Sequence, residues 1–193
     1  MVVRPVTGPN PGAANSFEST AIAVAVDTDA GELAELAAVT FPLACPPSSP
    51  PSEVAAFIAD NLSRERFADY LADPSRTVLI ARAADRMIGY AMLIDGVGTD
   101  PDVAQAVDMR PAVELSKLYV LADSHGAGAA ADLMDAALRR AARAGARCVW
   151  LGVNQENRRA QRFYGKHGFA VAGTKTFPMG THLEHDYVML RPL

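Results

Sequence analysis

Two glycines stand two apart, at Gly126 and Gly128, between a β-rich run (ELSKLYV, 114–120) and a long Ala-, Leu- and Arg-rich run ending near Ala144. A strand that turns tightly into a helix leaves backbone N–H groups unpaired at the helix start, where the positive end of the helix dipole also lies. Glycine lets a ligand come close to that backbone. The chemistry that suits such a turn is a phosphate or pyrophosphate. A P-loop is excluded, because no Lys followed by Ser or Thr completes it. The dinucleotide pattern G-x-G-x-x-G/A is matched by Gly126, Gly128 and Ala131. That pattern also needs an acid about twenty residues on, at the end of the next strand. The next strand, CVWLGVN (148–154), carries none. On the glycines alone, a bare turn without a ligand stays open beside the cradle.

Other residue types with metal or nucleophile chemistry are sparse. His182, His185 and Asp186 fall in a loop and an early strand, on no helical face, and read as polar surface residues. Cys45 and Cys148 fit no metal spacing. Two thiols in a chain of this size suit a reducing compartment, where they pack as small apolar groups. No metal is expected.

The elements that must position the turn follow from hydrophobic spacing. AIAVAV (21–26) reads as a strand, and Asp29 can cap a helix running to about Val39. CPPSSPPS (45–52) is a loop because of its prolines. Ser52 and Glu53 open a second helix, with Val54, Phe57, Ile58 and Leu62 on one face, which continues bent or broken to Leu71. Residues 77–95 form a hairpin turning at Ala84 to Arg86. GVGTDPDVAQAVDMRPA (96–112) is a loop with room for one helical turn. The helix after the glycines ends at Ala144, with Gly145 just past it. A buried strand (147–153), a helix stopping near Gly168 and two final strands complete the order β-α-α-β-β-β-α-β-α-β-β. The fold class is α/β to α+β: a mixed sheet with helices on both faces.

The chain has 193 residues, half of them hydrophobic, which suits one domain with a real core. Residues 1–18 are rich in Pro, Gly and Asn and predict a flexible N-terminal tail, with one domain over 19–193. A net charge of −4 argues against a binder of nucleic-acid backbones. The run AIAVAV is too short to span a bilayer, and the segment before it has no signal-peptide order. The expectation is a cytoplasmic protein with no nucleic-acid or membrane partner.

Two blocks carry a resemblance. The turn fills the frame [R/Q]-x-x-G-x-[G/A] with His125, Gly126, Ala127, Gly128, Ala129 and Ala130. The block N-x-x-A-x-x-F-Y-x-K-x-G-F is matched at Asn157, Ala160, Phe163, Tyr164, Lys166, Gly168 and Phe169. Together they resemble the GNAT superfamily of N-acetyltransferases, over about residues 20–192 and most strongly from 114 to 192. Within it, ELSKLYV, WLGV, QEN and the ending G-x-x-x-x-x-D-Y-V-M resemble the PaiA-like polyamine acetyltransferases. The resemblance implies a mostly antiparallel central sheet of about seven strands. It also implies direct transfer of the acetyl group of acetyl-CoA, the cosubstrate, to a primary amine: a polyamine, a small amine or a protein lysine. One position departs: His125 stands where the family has Arg or Gln. The family's pyrophosphate contact is mostly backbone amide, so the cradle is expected to survive.

The resemblance also distributes roles. The amides from His125 to Ala130 would face the pyrophosphate. Backbone groups of Leu118, Tyr119 and Val120 would bind the pantetheine arm, one N–H also serving the oxyanion. Asn157 would touch the arm from the other side. Tyr164 would be the general acid toward the departing sulfur; the alternative is a core tyrosine on an amphipathic helix. Glu114 would be the base, through a water, for an amine of pKa about 10. Strand alternation puts Glu114, Ser116, Leu118 and Val120 on one face, and the alternative for Glu114 is an exposed charge ending a strand. Lys166 and Arg158 would reach the cofactor's phosphates; a solvated helix face is the other reading for Arg158, Arg159 and Arg162.

For the acceptor, the connection after the third strand carries Asp95, Asp100, Asp102 and Asp108, with Arg110 its only cation. An acidic groove beside it would favour a cationic amine; a solvated acidic loop is the alternative. A non-catalytic CoA-binding sensor or partner protein of the same fold is the competing function. A homodimer is a state common in the resembling family.

Overall fold

The computed structural model describes residues 20–46, 49–124, 128–179 and 182–193. The expected tail at 1–18 lies outside the described residues.

The chain opens with a short strand, β1 (Ala21–Val24), and a helix, α1 (Ala30–Thr40). Ala30, Leu33, Leu36 and Ala37 recur at helical spacing and form its buried face. Asp29 stands at the cap position of α1, but its carboxylate does not cap that helix. One oxygen accepts from Val26 N–H at 2.8 Å and the other pairs with Arg82 at 3.0 Å. The second helix, α2 (Pro51–Asn61), begins one residue before Ser52, because proline's fixed φ suits the first turn. The expected break falls at Leu62. Ser63 then caps α3 (Arg64–Ala72), its Oγ accepting from Arg66 N–H at 3.3 Å.

The hairpin is β2 (Arg76–Ala83) and β3 (Arg86–Asp95), with Ala84 and Asp85 between the strands. The expected helical turn is α4 (Pro101–Ala106). Next come β4 (Ala112–Val120) and α5 (Ala129–Arg143). Leu133, Met134, Ala137, Leu138 and Ala141 form the buried stripe of α5. Gly145, at φ +81°, ends that helix. Its N–H bonds to Ala142 C=O, and the N–H of Ala146 reaches back to Ala141 C=O, the paired pattern of a glycine-closed helix. The chain closes with β5 (Cys148–Asn154), α6 (Arg158–Lys166), β6 (Ala170–Met179) and β7 (His182–Pro192).

The seven strands form one sheet in the order β1-β2-β3-β4-β5-β7-β6. Every neighbouring pair is antiparallel except β4 with β5. Helices cover both faces. Leu133, Met134, Ala137 and Leu138 of α5 pack on Leu79, Ala91, Leu115 and Val149, and the apolar side of α6 joins that cluster. On the opposite face, α1 and α3 bury Leu33, Leu36 and Phe67 against Val78, Ile80 and Tyr90. Further along that face, Val103 and Val107 at α4 pack on Ala112, Trp150 and Val188. Both thiols are free: Cys148 is buried and Cys45 half-buried.

Candidate active site

The site begins where the sheet fails to stay paired. β4 and β5 match over only three positions, Ala112–Glu114 against Cys148–Trp150, although each strand continues. A bulge in β4 explains the parting. Met92 of β3 faces Lys117 while Leu93 faces Leu115, so Ser116 faces no residue of β3. An extra residue bends and twists the strand that carries it. It also resets the side-chain alternation. Val113 and Leu115 lie in the α5-side core, and beyond the bulge it is Leu118 and Val120 that join them. Glu114 therefore does not share a face with Leu118 and Val120, as alternation alone predicted. It lies with Tyr119, on the face of α1 and α3.

The parted strands frame a cavity of about 280 Å³. β4 lines it from Glu114 to Tyr119, and β5 from Gly152 to Asn154. On the α6 side stand Asn157, Ala160 and Tyr164. Phe41, Cys45 and Phe57 close it near the connection between α1 and α2, and Phe41 and Phe57 stack at 4.6 Å. The remaining wall is polar: Lys175 of β6 with Glu184 and Asp186 of β7.

Tyr164 and Asn157 are set by α6. The Asn157 Oδ1 accepts from Ala160 N–H at 3.0 Å and so caps the helix. Tyr164 packs edge-on against Phe163 and Phe169, at 5.6 and 5.9 Å. Burial pushes its phenol up to about 12. Tyr119 is also pushed up, first by burial and then by Tyr164, Cys45 and Asp186. Its ring lies 5.6 Å from that of Tyr90, which is fully buried.

The charges in the cavity oppose one another. Burial raises the Glu114 carboxyl above its ordinary range, while Lys175, Lys117, a hydrogen bond from Ser116 and Arg76 pull it back. Burial lowers Lys117 to about 8, against the pull of Glu114. The Lys117 ammonium lies 5.6 Å from the Tyr70 ring, which Arg76 also faces at 4.7 Å. Asn154 donates to Glu184 at 2.8 Å. Asp186 is raised by burial and held down chiefly by Lys175.

The glycine turn is described from Gly128 onward; His125, Gly126 and Ala127 lie outside the described residues. Gly128 has φ +89°, a conformation that favours glycine, and stands at the cap position of α5 without a side-chain cap. Ala129 and Ala130 open the helix behind it. Of the other expected site residues, Leu118 and Tyr119 line the cavity. Val120 is buried and pairs with Gly89 of β3. Lys166, the last residue of α6, is exposed and does not line the cavity.

Two expectations about the polar loops are corrected. Asp95, Asp100, Asp102 and Asp108 do not line the cavity. Asp100 instead caps α4, accepting from the N–H groups of Asp102 and Val103 at 2.9 and 3.3 Å. Asp100→Ala is expected to cost about 1 kcal/mol of stability, which denaturant melts check. Asp186, read from the sequence as a surface residue, is instead a cavity wall, because β7 runs beside β5 and turns Glu184 and Asp186 inward. Sequence reasoning also missed Lys117, Lys175, Glu184, Phe41 and Phe57 as site residues. One signal was present: Gly152 inside a buried strand marks a close approach by another group. Among the described residues no cluster of three His, Cys, Asp or Glu is placed to hold a metal ion, and no helix is long and apolar enough to cross a membrane.

The comparisons with known proteins agree with this geometry. Residues 35–169 match the family model described as the acetyltransferase (GNAT) family. The chain is 56% identical over 166 residues to proteins named as uncharacterized N-acetyltransferases in Mycobacterium tuberculosis and Mycobacterium bovis; the match covers 86% of this chain and 99% of each relative. Among solved structures, the fold is similar to a PaiA N-acetyltransferase from Thermoplasma acidophilum in complex with coenzyme A. The TM-score is 0.71 at 19% identity, covering 91% of this chain and 99% of that one. It is also similar to the ribosomal-protein-S18-alanine N-acetyltransferase of Escherichia coli, with a TM-score of 0.63 at 18% identity over 90% and 94%. The parted β4 and β5, the cavity between them and the family match over most of the chain lead to one conclusion: this protein belongs to the GNAT family of acetyltransferases.

Proposed function

We propose that the protein transfers the acetyl group of acetyl-CoA directly to a primary amine, with the cavity between β4 and β5 as the reaction site. The observation that carries this reading is that the cavity is lined from both faces of the sheet. Leu118, Val153, Ala160 and Tyr164 come from the side of α5 and α6, whereas Glu114, Tyr119, Glu184 and Asp186 come from the other. Donor and acceptor can therefore enter from opposite sides and meet in the gap.

The residues present fit acetyl-CoA. Past Glu114 and Trp150 the facing edges of β4 and β5 are unpaired with each other, leaving backbone groups for an extended amide-bearing arm. The uncapped start of α5 supplies N–H groups and a dipole end for phosphate oxygens. Acetyl-CoA supplies the activated acyl group. Glu114, through a water, takes the proton from the acceptor ammonium. A backbone N–H of β4 past the bulge stabilises the oxyanion. Tyr164 donates a hydrogen bond to the sulfur as the thiolate departs. A phenol near 12 stays protonated at neutral pH. Full transfer to a thiolate whose conjugate acid is about 8.5 would run uphill, so the thiol's final proton comes from the amine. Lys166, exposed at the end of α6, remains a candidate for the phosphates outside the cavity.

For the acceptor we propose a cationic amine, with a polyamine the first class to test. The carboxylates of Glu114, Glu184 and Asp186 support it, as does the fold likeness to a PaiA acetyltransferase. Calorimetric titration with acetyl-CoA, with NADH as control ligand, tests the donor site. Micromolar binding of acetyl-CoA and none of NADH is expected, followed by amine-dependent release of free CoA thiol. Binding without thiol release across an amine panel would favour the competing reading, a non-catalytic CoA-binding protein. No binding of acetyl-CoA would overturn both.

A further inference from the structure

Lys175 is the cavity wall's least explained residue. It lies on β6 opposite Asp186 of β7, and Asp186 lies opposite Asn154 of β5. Its side chain runs back across both strands and ends above the Trp150 ring, with Nζ 5.8 Å from the ring centre. Trp150 is the residue paired with Glu114 across the last matched position of β4 and β5. This path exists because residue 152 is glycine. A Cβ there would stand 2.7 Å from Lys175 Cε and 3.2 Å from both its Nζ and Asp186 Oδ2. A side chain there would force the end of the lysine to shift. Among the described residues, no ion pair within 4.0 Å fixes the Lys175 ammonium to a carboxylate. Its charge acts on both Glu114 and Asp186.

We propose that Lys175, seated in the notch left by Gly152, is a positioning residue that keeps the Glu114 carboxylate ready to accept a proton. The inference rests on the reading of Glu114 as base. Glu114 meets charge from every side. Lys117 and Ser116 belong to its own strand, Arg76 comes from β2 and Lys175 from β6. Glu184 and Asp186 face the cavity from β7, and Tyr164 from α6. Burial drives Glu114 toward its neutral form. Of the groups opposing burial, Lys175 acts most strongly. Lys117 is the less dependable partner, since its own ammonium is weakened by burial. Removing the Lys175 charge therefore raises Glu114, and the base becomes protonated at a pH where wild type is still active.

The test is the pH profile of kcat/KM for a chosen amine in wild type, Lys175→Met, Lys175→Arg and Glu114→Gln, with acetyl-CoA affinity measured calorimetrically for each. Lys175→Met is expected to move the acid limb to higher pH. Activity should fall severalfold on the acid side and hold near the wild-type plateau on the alkaline side, with acetyl-CoA binding unchanged. Lys175→Arg should restore much of the limb. Gly152→Ala, which displaces the lysine without removing it, should shift the limb the same way. A limb in Lys175→Met that coincides with wild type overturns the proposal. If Glu114→Gln retains the acid limb, the base is elsewhere and the reading beneath the proposal fails. If Glu114→Gln loses the limb while Lys175→Met leaves it in place, only the role of Lys175 is lost.

Discussion

Tyr164→Phe is expected to lower kcat by about 10²- to 10³-fold, the range of a lost hydrogen bond to developing negative charge, with acetyl-CoA affinity unchanged. Phenylalanine keeps the edge contacts that Tyr164 makes with Phe163 and Phe169, so the packing that seats α6 is preserved. Only the hydroxyl is removed. If it acts on the departing sulfur, the loss falls on the chemical step and not on binding, so kcat and kcat/KM fall together. Steady-state kinetics with the amine held saturating, beside calorimetric titration of acetyl-CoA, separates the two. A kcat close to wild type would make Tyr164 a packing residue. Weakened binding at unchanged kcat would give it a role in seating the donor.

Leu133→Ala is expected to remove about 2–5 kcal/mol of stability. In a chain of this length that corresponds to a fall in Tm of roughly 4–20 °C. Leu133 is fully buried on α5, in the core against β3 and β4. It packs so closely on β3 that a Cβ at Gly89 would lie 3.2 Å from its Cδ1. Truncation leaves a void under the end of β4 that carries Tyr119 and Val120, and α5 loses a contact that fixes its first turns. Acetyl-CoA affinity should therefore weaken along with stability, which a core residue remote from the site would not show. Thermal melts with and without acetyl-CoA measure both. Unchanged stability would mean that the core closes over the missing atoms.

Much of the fold was legible because it is written locally. The stripe Leu133, Met134, Ala137, Leu138, Ala141 and the closing Gly145 specify α5 without reference to the rest of the chain. Two β-rich runs flanking a polar turn in residues 77–95 specify a hairpin in the same way. A second helix continuing, bent or broken, to Leu71 was expected from the apolar spacing, but the place of the break was not; Ser63 sets it by capping α3. Within the site, Glu114, Leu118, Tyr119, Asn157 and Tyr164 were reached from two sequence blocks, and all five line the cavity.

What escaped was set by contacts distant in sequence. The bulge at Ser116 is a property of the pairing between β3 and β4, and nothing in ELSKLYV announces it. It turned the expected single face of Glu114, Ser116, Leu118 and Val120 into two. The acidic loop before β4 drew attention by composition, yet Asp100 spends its carboxylate on capping α4. The carboxylates that join Glu114 in the cavity wall, Glu184 and Asp186, come from a strand placed beside β5 by the order β5-β7-β6.

The sequence by itself determined the family of this protein and its run of strands and helices, and it singled out the candidate turn and helix. These follow from periodicity, capping and two contiguous motifs, all of which act over a few residues. Only the tertiary structure decided which charges meet in the cavity. Lys175 reaches the residue paired with Glu114 because Gly152, two strands away, leaves room for it. Such a meeting depends on strand order, register and the absence of a side chain, and none of these is visible in the neighbours of any one residue.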